Sequence, residues 1–159
     1  MPADPKLEAF MRRAVELSRH GMRRGDGGPF GAVIVKDGAV VGEGWNRVLS
    51  TNDPTAHGEM VAIRDACHKL GTFDLTGCDL FTSAEPCPMC LSATYWARVA
   101  RVFFGNTHAD TAALGFDDGT ILEELRKPGG RTIPEARLLA DEALAVFREY
   151  AADPDRVRY

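Results

Sequence analysis

The sequence predicts an α/β fold, a central sheet with helices on both faces, and three observations lead there. Residues 6–24 carry apolar side chains at helical spacing, residues 30–45 alternate as two strands about a tight turn, and strand and helix patterns then take turns to about residue 105. The first helix is written in Leu7, Phe10, Met11, Ala14, Val15 and Ser18, with Met22 one turn on. Gly25-Asp26-Gly27-Gly28-Pro29 breaks it into a loop. Phe30 to Lys36 reads as a strand, Asp37-Gly38 as a hairpin turn, and Ala39 to Trp45 as the returning strand, its pattern weakened by Gly42 and Gly44.

A polar loop from Asn46 to Pro54 leads into a helix from about His57 to Leu70, which Gly71 caps. The unit then repeats, with a short strand from Asp79 to Ser83 and a helix that follows Glu85-Pro86-Cys87 and runs to about Arg98. Pro86 and Pro88 suit a first turn, where a missing N–H costs nothing. Arg101 to Gly105 is another buried strand, followed by a loop with short helical pieces from Asp110 to Lys127 and the breaker Pro128-Gly129-Gly130. A strand near Ala136 to Ala140 and a helix from Asp141 to Tyr150 complete the pattern. The polar tail, Ala151 to Tyr159, frays unless something holds it.

At 159 residues, the chain has room for one domain with a genuine core, and a single domain over 1–159 is the expectation. Hydrophobic residues at 45% and charged residues at 26% are ordinary for a globular protein, and no run reaches the roughly 18 apolar residues of a membrane span. The opening MPADPKLEAFMRR carries charge where a secretory signal needs an apolar stretch, so the expected location is cytoplasmic. Lys and Arg number 19 against 23 Asp and Glu, and the cluster Arg12, Arg13, Arg19, Arg23 and Arg24 is balanced elsewhere. That balance weighs against a nucleic-acid partner, since affinity for phosphates comes from neutralising them. Of the four cysteines, Cys67 and Cys78 read as plain thiols, whereas Cys87 and Cys90 stand at metal-ligand spacing.

The chemistry lies in His57-Gly58-Glu59 and Pro86-Cys87-Pro88-Met89-Cys90 taken together. Both stretches begin helices, so their first residues can point at one centre. One imidazole and two thiolates make a three-ligand zinc site with its fourth position open to water, and helix N-termini favour the thiolates. Zinc lowers the pKa of such a water towards neutrality. Glu59 need not bind the metal; its natural task is to move a proton from water to a ring nitrogen and then to a departing amine. A histidine and a glutamate two apart, followed by Pro-Cys-x-x-Cys, is the known signature of zinc base deaminases. A closed structural zinc site, completed by His68, His108, Cys67 or Cys78 in a non-catalytic binding module, is the different-class reading. It ordinarily presents a second paired unit, which the sequence lacks, and it has no use for Glu59.

The chain resembles the cytidine deaminase superfamily, and within it the short bacterial guanine deaminases. The resemblance rests on GGPFGAVIVKDG (27–38), SxNDPTAHGE (50–59), TSAEPCPMC (82–90), YWAR (95–98), GFDD (115–118) and RTIP (131–134). Related tRNA adenosine and cytosine deaminases share GGPFGAVIV and EPCPMC; NDPTAH, GFDD with RTIP, and a C-terminal aromatic are closer to guanine deaminases. The resemblance implies a three-layer αβα fold around a mixed sheet of five strands. It also implies Zn2+ on His57, Cys87 and Cys90, Glu59 as proton shuttle, and hydrolysis of guanine to xanthine and ammonia. Another amino-heterocycle (an s-triazine such as ammeline, cytosine or a nucleoside) or a tRNA adenosine is the alternative substrate. Two stretches depart from the family: Gly58 stands where Ala is usual, and Leu91-Ser92-Ala93 replaces a run of small residues.

The remaining site residues follow from the same resemblance. Asn46 would hydrogen-bond the base, with a turn-former as its ordinary role. Phe30, behind the glycine loop, would line the pocket or serve as a core aromatic. Of the pair Asp117 and Asp118, Asp118 is the one expected to accept from guanine N1–H and the 2-amino group. His20 and His68 read as ordinary surface residues, while His108 follows a strand end and could approach the pocket without being assigned to it. In guanine deaminases, the C-terminal segment crosses to a partner subunit, so Tyr159 is expected to close the partner's active site in a homodimer with exchanged tails.

Overall fold

The computed structural model describes residues 4–116 and 118–158. Contacts divide the chain into two compact units, Met1–Ile121 and Leu122–Tyr159. In the first unit, helix α1 (Pro5–Arg24) leads into strands β1 (Gly31–Lys36) and β2 (Ala39–Trp45), the short helix α2 (Val48–Thr51) and helix α3 (Gly58–Leu70). Strand β3 (Cys78–Ala84), helix α4 (Pro88–Trp96), strand β4 (Arg101–Asn106) and helix α5 (His108–Ala113) follow. Helix α6 (Gly119–Leu125) runs across the boundary between the two units.

The expected α/β class holds: β2, β1, β3 and β4 form one mixed sheet in that order. The β1–β2 and β1–β3 pairs are antiparallel, and β3–β4 is parallel. The hairpin turns where expected, Asp37 and Gly38 both taking positive φ (50° and 78°), which a two-residue loop of this hand requires.

Because helices cover both faces, β1 is buried along almost its whole length. Val33 and Val35 point to one side with Leu17 of α1 and Phe81 of β3, where Phe81 also stacks on Phe103. Ala32 and Ile34 point to the other side, into a cluster with Ala62, Ile63 and Ala66 of α3 and Leu75, Leu80 and Ala97. Each cluster comprises several apolar side chains, each worth roughly 1.5–3 kcal/mol when fully withdrawn from water.

Gly42 and Gly44 weaken the strand pattern for a physical reason. A Cβ on Gly42 would stand 2.5 Å from the Ala62 carbonyl oxygen, and one on Gly44 would press on the Ala62 amide. Glycine at these positions lets the α3 backbone lie directly on β2, which sets the depth at which the start of α3 meets the sheet.

The expected fifth strand near Ala136 to Ala140 does not form among the described residues; the sheet has four, and 136–139 is irregular. A strand needs a ladder partner, and the second unit offers none among its described residues. Its regular element is α7 (Ala140–Ala152). The segment before α7 is folded by Arg131, which donates to the Glu124 carbonyl and pairs with Glu135. The tail is held rather than frayed: the Tyr150 hydroxyl donates to the Val157 carbonyl, and Arg156 donates to the carbonyls of Ala151 and Asp153. No described helix is long and apolar enough to cross a membrane.

Candidate active site

His57 and Cys87 are both N-caps, in extended backbone conformation, of α3 and α4. The Cys87 sulfur accepts the Cys90 backbone N–H at 3.5 Å, so Pro88 and Met89 form the first turn and bring the second thiol back beneath the first. His57 Nδ1 lies 3.5 Å from Cys87 Sγ and 3.6 Å from Cys90 Sγ. For Zn–S near 2.3 Å and Zn–N near 2.05 Å, a tetrahedral centre requires an N···S edge of about 3.6 Å. The three donors therefore fit zinc in chemistry and in spacing. Among the described residues, they form a group of His57, Cys87 and Cys90 alone, so none of His68, His108, Cys67 and Cys78 closes the set.

The metal-free electrostatics already favour a thiolate here. Hydrogen bonding from the Cys90 thiol, with His57 adding to it, brings the Cys87 sulfur down to about 4 against the upward pull of burial. The same pairing, with burial, pushes Cys90 up. The Cys87 sulfur raises the His57 imidazole. A bound cation deprotonates a coordinating thiol outright.

Glu59, in the first turn of α3, is 6% exposed. Burial raises its carboxyl above the ordinary range, partly offset by hydrogen bonds. Thr82 Oγ1 lies 2.9 Å from Glu59 Oε1 and can donate to it. A carboxyl raised in this way suits alternate uptake and delivery of a proton.

These groups open onto a cavity of about 300 Å³, at the small end for ligand sites. His57, Glu59 and Cys87 line it, and so do Asn46, Phe30 and Asp118, so of the sequence-assigned residues that the structure describes, all but Cys90 reach the cavity wall. Cys90 lies fully buried behind Cys87. Tyr159 and Asp117 lie outside the described residues.

The Oδ1 of Asn46 accepts the Val48 N–H at 3.1 Å, so this residue builds its own turn and still presents its amide to the cavity. Gly27 is obligatory beside it, since a Cβ there would collide with the Asn46 side chain. Phe30 meets Phe116 edge to face at 5.1 Å between ring centres. Glu85, Thr111 and Phe116 also line the wall, and sequence reasoning did not assign them. Glu85 lies in EPC beside Cys87 and Phe116 in GFDD beside Asp118, whereas no motif of the sequence marks Thr111. Among the described lining residues there are three carboxylates, Glu59, Glu85 and Asp118, and neither Lys nor Arg.

A zinc site with one position free, a buried carboxyl beside it and a small acidic cavity define a metal-dependent hydrolase site for a small molecule. The chain belongs to the cytidine and deoxycytidylate deaminase family, whose zinc-binding region matches residues 4–106. A guanine deaminase of Bacillus subtilis is 50% identical over 153 residues, which cover 96% of this chain and 98% of that one. The crystal structure of guanine deaminase from Bacillus subtilis superposes with a TM-score of 0.92 at 50% identity, over 96% of this chain and 98% of that chain. A guanine deaminase from Nitrosomonas europaea is 34% identical with a TM-score of 0.67, over 95% and 86% of the two chains. A tRNA-specific adenosine deaminase of Haemophilus influenzae is 38% identical over 117 residues, 70% of this chain and 67% of that one.

Proposed function

We propose that the chain is a zinc-dependent hydrolytic deaminase that converts guanine and water to xanthine and ammonia. The observation that carries this is the grouping of His57, Cys87 and Cys90 at tetrahedral spacing beside the buried Glu59, on a cavity of about 300 Å³ with neither Lys nor Arg among its described lining residues. Zinc held by His57, Cys87 and Cys90 supplies a water acidic enough to yield hydroxide near neutral pH.

The rest is done by the chain's own groups. Guanine sits with C2 towards the zinc ligands and its 2-amino group as the leaving group. Glu59 takes one proton from the attacking water and passes it to the ring nitrogen beside C2; it then takes the second proton from the hydroxyl now on C2 and gives it to the amine, so that C2=O forms as the C2–N bond breaks and ammonia leaves. The Thr82 hydroxyl engages Oε1, which leaves Oε2 as the shuttling oxygen. Asn46 donates to an acceptor on the base, Phe30 covers its face, and Asp118 accepts from N1–H and the 2-amino group. Glu85 and Asp118 on a wall with no described Lys or Arg leave a phosphate without a side-chain counter-charge, which supports a free base over a nucleotide or tRNA.

The proposal extends to the whole chain. Residues 1–159 act as one deaminase domain in a cytoplasmic homodimer, and the 151–159 tail brings Tyr159 to the partner's active site. Support comes from the alignment with the Bacillus subtilis protein over 96% of the chain, from four unpaired cysteines, and from α7, which buries none of its own residues.

Ammonia release from guanine, guanosine, cytosine, cytidine, adenine and ammeline tests the assignment. Guanine should be turned over fastest by at least an order of magnitude, because a site built to hydrogen-bond a group rejects analogues lacking it by roughly 10⁴-fold at best. Faster release from cytidine or adenine would overturn the substrate while leaving a deaminase.

A further inference from the structure

Beside the cavity, His108 stands between two of its carboxylates. It opens α5, where Thr107 and Asp110 form a reciprocal capping box that fixes the backbone. The His108 backbone N–H donates to Glu85 Oε2 at 3.0 Å, and its Nε2 lies 3.7 Å from Glu85 Oε1. The other ring nitrogen, Nδ1, lies 3.9 Å from Asp118 Oδ2. The ring is part-exposed, yet Nδ1 itself is buried and has no hydrogen-bond partner. A buried ring nitrogen in that state calls for a reason, since nearly all such atoms are satisfied. Closing on Asp118 by about 1 Å would turn the approach into a hydrogen bond.

We propose that His108 is the positioning residue that holds the Asp118 carboxylate against the substrate, its Nδ1–H donating to Oδ2 when the base is bound. This rests on Asp118 facing the base, as argued above. Asp118 lies ten residues beyond His108, directly before α6. Glu85 lies two residues before the metal ligand Cys87, in the segment between β3 and α4. His108 is anchored to the second and leans on the first. It therefore sets the distance between the carboxylate that reads the base and the ligands that hold the metal. With His108 absent, Asp118 would keep its charge and lose this contact with the metal-bearing segment, and guanine would be held more weakly.

The test uses zinc-loaded full-length enzyme, with guanine kinetics, zinc content and thermal unfolding measured for each variant. Losing one such hydrogen bond should raise KM for guanine roughly tenfold in His108→Ala. Zinc content should not change. His108→Asn, whose amide N–H falls near the Nδ1 position, should return KM to within about threefold of wild type, and His108→Gln, whose amide reaches the Nε2 position, should not. In an Asp118→Ala background, His108→Ala should add no further loss.

A normal KM in His108→Ala, equal rescue by Asn and Gln, or fully multiplicative losses in the double variant would each overturn the proposal. If His108→Ala unfolds, the contrast between the Asn and Gln variants decides. Wild-type kinetics in Asp118→Ala would instead remove Asp118 from the base, whereas a defective Asp118→Ala beside a normal His108→Ala overturns only the role of His108.

Discussion

Thr82 Oγ1 lies 2.9 Å from Glu59 Oε1 and 3.1 Å from the Ala84 carbonyl, so a single buried hydroxyl joins the acid on α3 to the end of β3. The two residues are 23 apart in sequence and come from β3 and α3. A hydroxyl has one hydrogen to donate, and Glu59 receives it only while ionised or while its proton sits on Oε2.

That relationship gives a pH prediction. Burial raises the Glu59 carboxyl, and the Thr82 hydrogen bond lowers it. A base must be ionised to act, so activity falls as pH drops through its pKa, and removing Thr82 should move that acid limb to higher pH. Thr82→Val should show this shift with about a tenfold loss of kcat near neutrality, consistent with one charge-assisted hydrogen bond. Glu59→Gln should bind zinc and guanine and lose several orders of magnitude in turnover, because an amide relays no proton. An acid limb unmoved in Thr82→Val would disconnect the hydroxyl from the shuttle.

Zinc content should follow the two caps. Cys87→Ala removes a ligand and also the sulfur that accepts the Cys90 N–H, so it should lose nearly all metal and loosen the start of α4. Cys90→Ala should lose metal with a smaller effect on that turn. Plasma emission spectrometry of purified variants checks both, with about one zinc per wild-type chain expected. Full activity in thoroughly metal-free wild-type protein would overturn the mechanism.

The metal-binding half of the site was legible in the sequence because it is local. Cys87 and Cys90 are placed by one helical turn, and His57 and Glu59 by the start of another, so spacing alone nearly determines their geometry. The tertiary half was not. Glu85 and His108 are 23 residues apart and meet only once β4 lies parallel to β3. Gly42 and Gly44 read as faults in a strand until α3 is seen lying on them. The strand expected near 136–140 has the right residues, but periodicity reports what a segment could pair as and says nothing of a partner.

Gly58, where the family usually has Ala, allows a test of packing behind the metal. A Cβ there would stand 3.1 Å from the Phe30 carbonyl oxygen and 3.2 Å from the Gly31 Cα, so the start of β1 must yield by a few tenths of an ångström. That carbonyl accepts the Asn46 N–H at 2.8 Å, which links the displacement to two residues lining the cavity. Alanine gains about 0.4–1 kcal/mol by restricting the unfolded chain, and the tight contact offsets it. Gly58→Ala should therefore change stability by less than about 1 kcal/mol and raise KM for guanine a few-fold, with zinc retained. A higher melting temperature with an unchanged KM would show that β1 yields without disturbing the pocket.

The final prediction concerns the tail. In the second unit, α7 buries no residue of its own, and Val146 and Phe147 are 60% and 74% exposed. Phe147 and its neighbours are the kind of surface that a second copy of the chain covers, and a symmetric dimer covers it twice. The last described residues are tied back to the end of α7 through Tyr150 and Arg156. Closure over a base excludes water and holds the ring against the reacting centre. Deleting 151–159 should then depress guanine turnover by roughly tenfold or more while zinc content is retained. The sharper experiment mixes two impaired proteins, full-length Glu59→Gln and the tail-deleted chain with Glu59 intact, after dissociation and reassociation. If the tail closes the partner's site, each hybrid dimer contains one subunit with Glu59 and a lid donated by the other. Random reassociation then returns about a quarter of wild-type turnover. If each tail closes its own site, the hybrid pairs a lidded subunit lacking the shuttle with a lidless one that has it, and activity stays at the level of the parents. Restoration requires exchange of the arm; its absence, in a dimer shown to have mixed, would return Tyr159 to its own subunit.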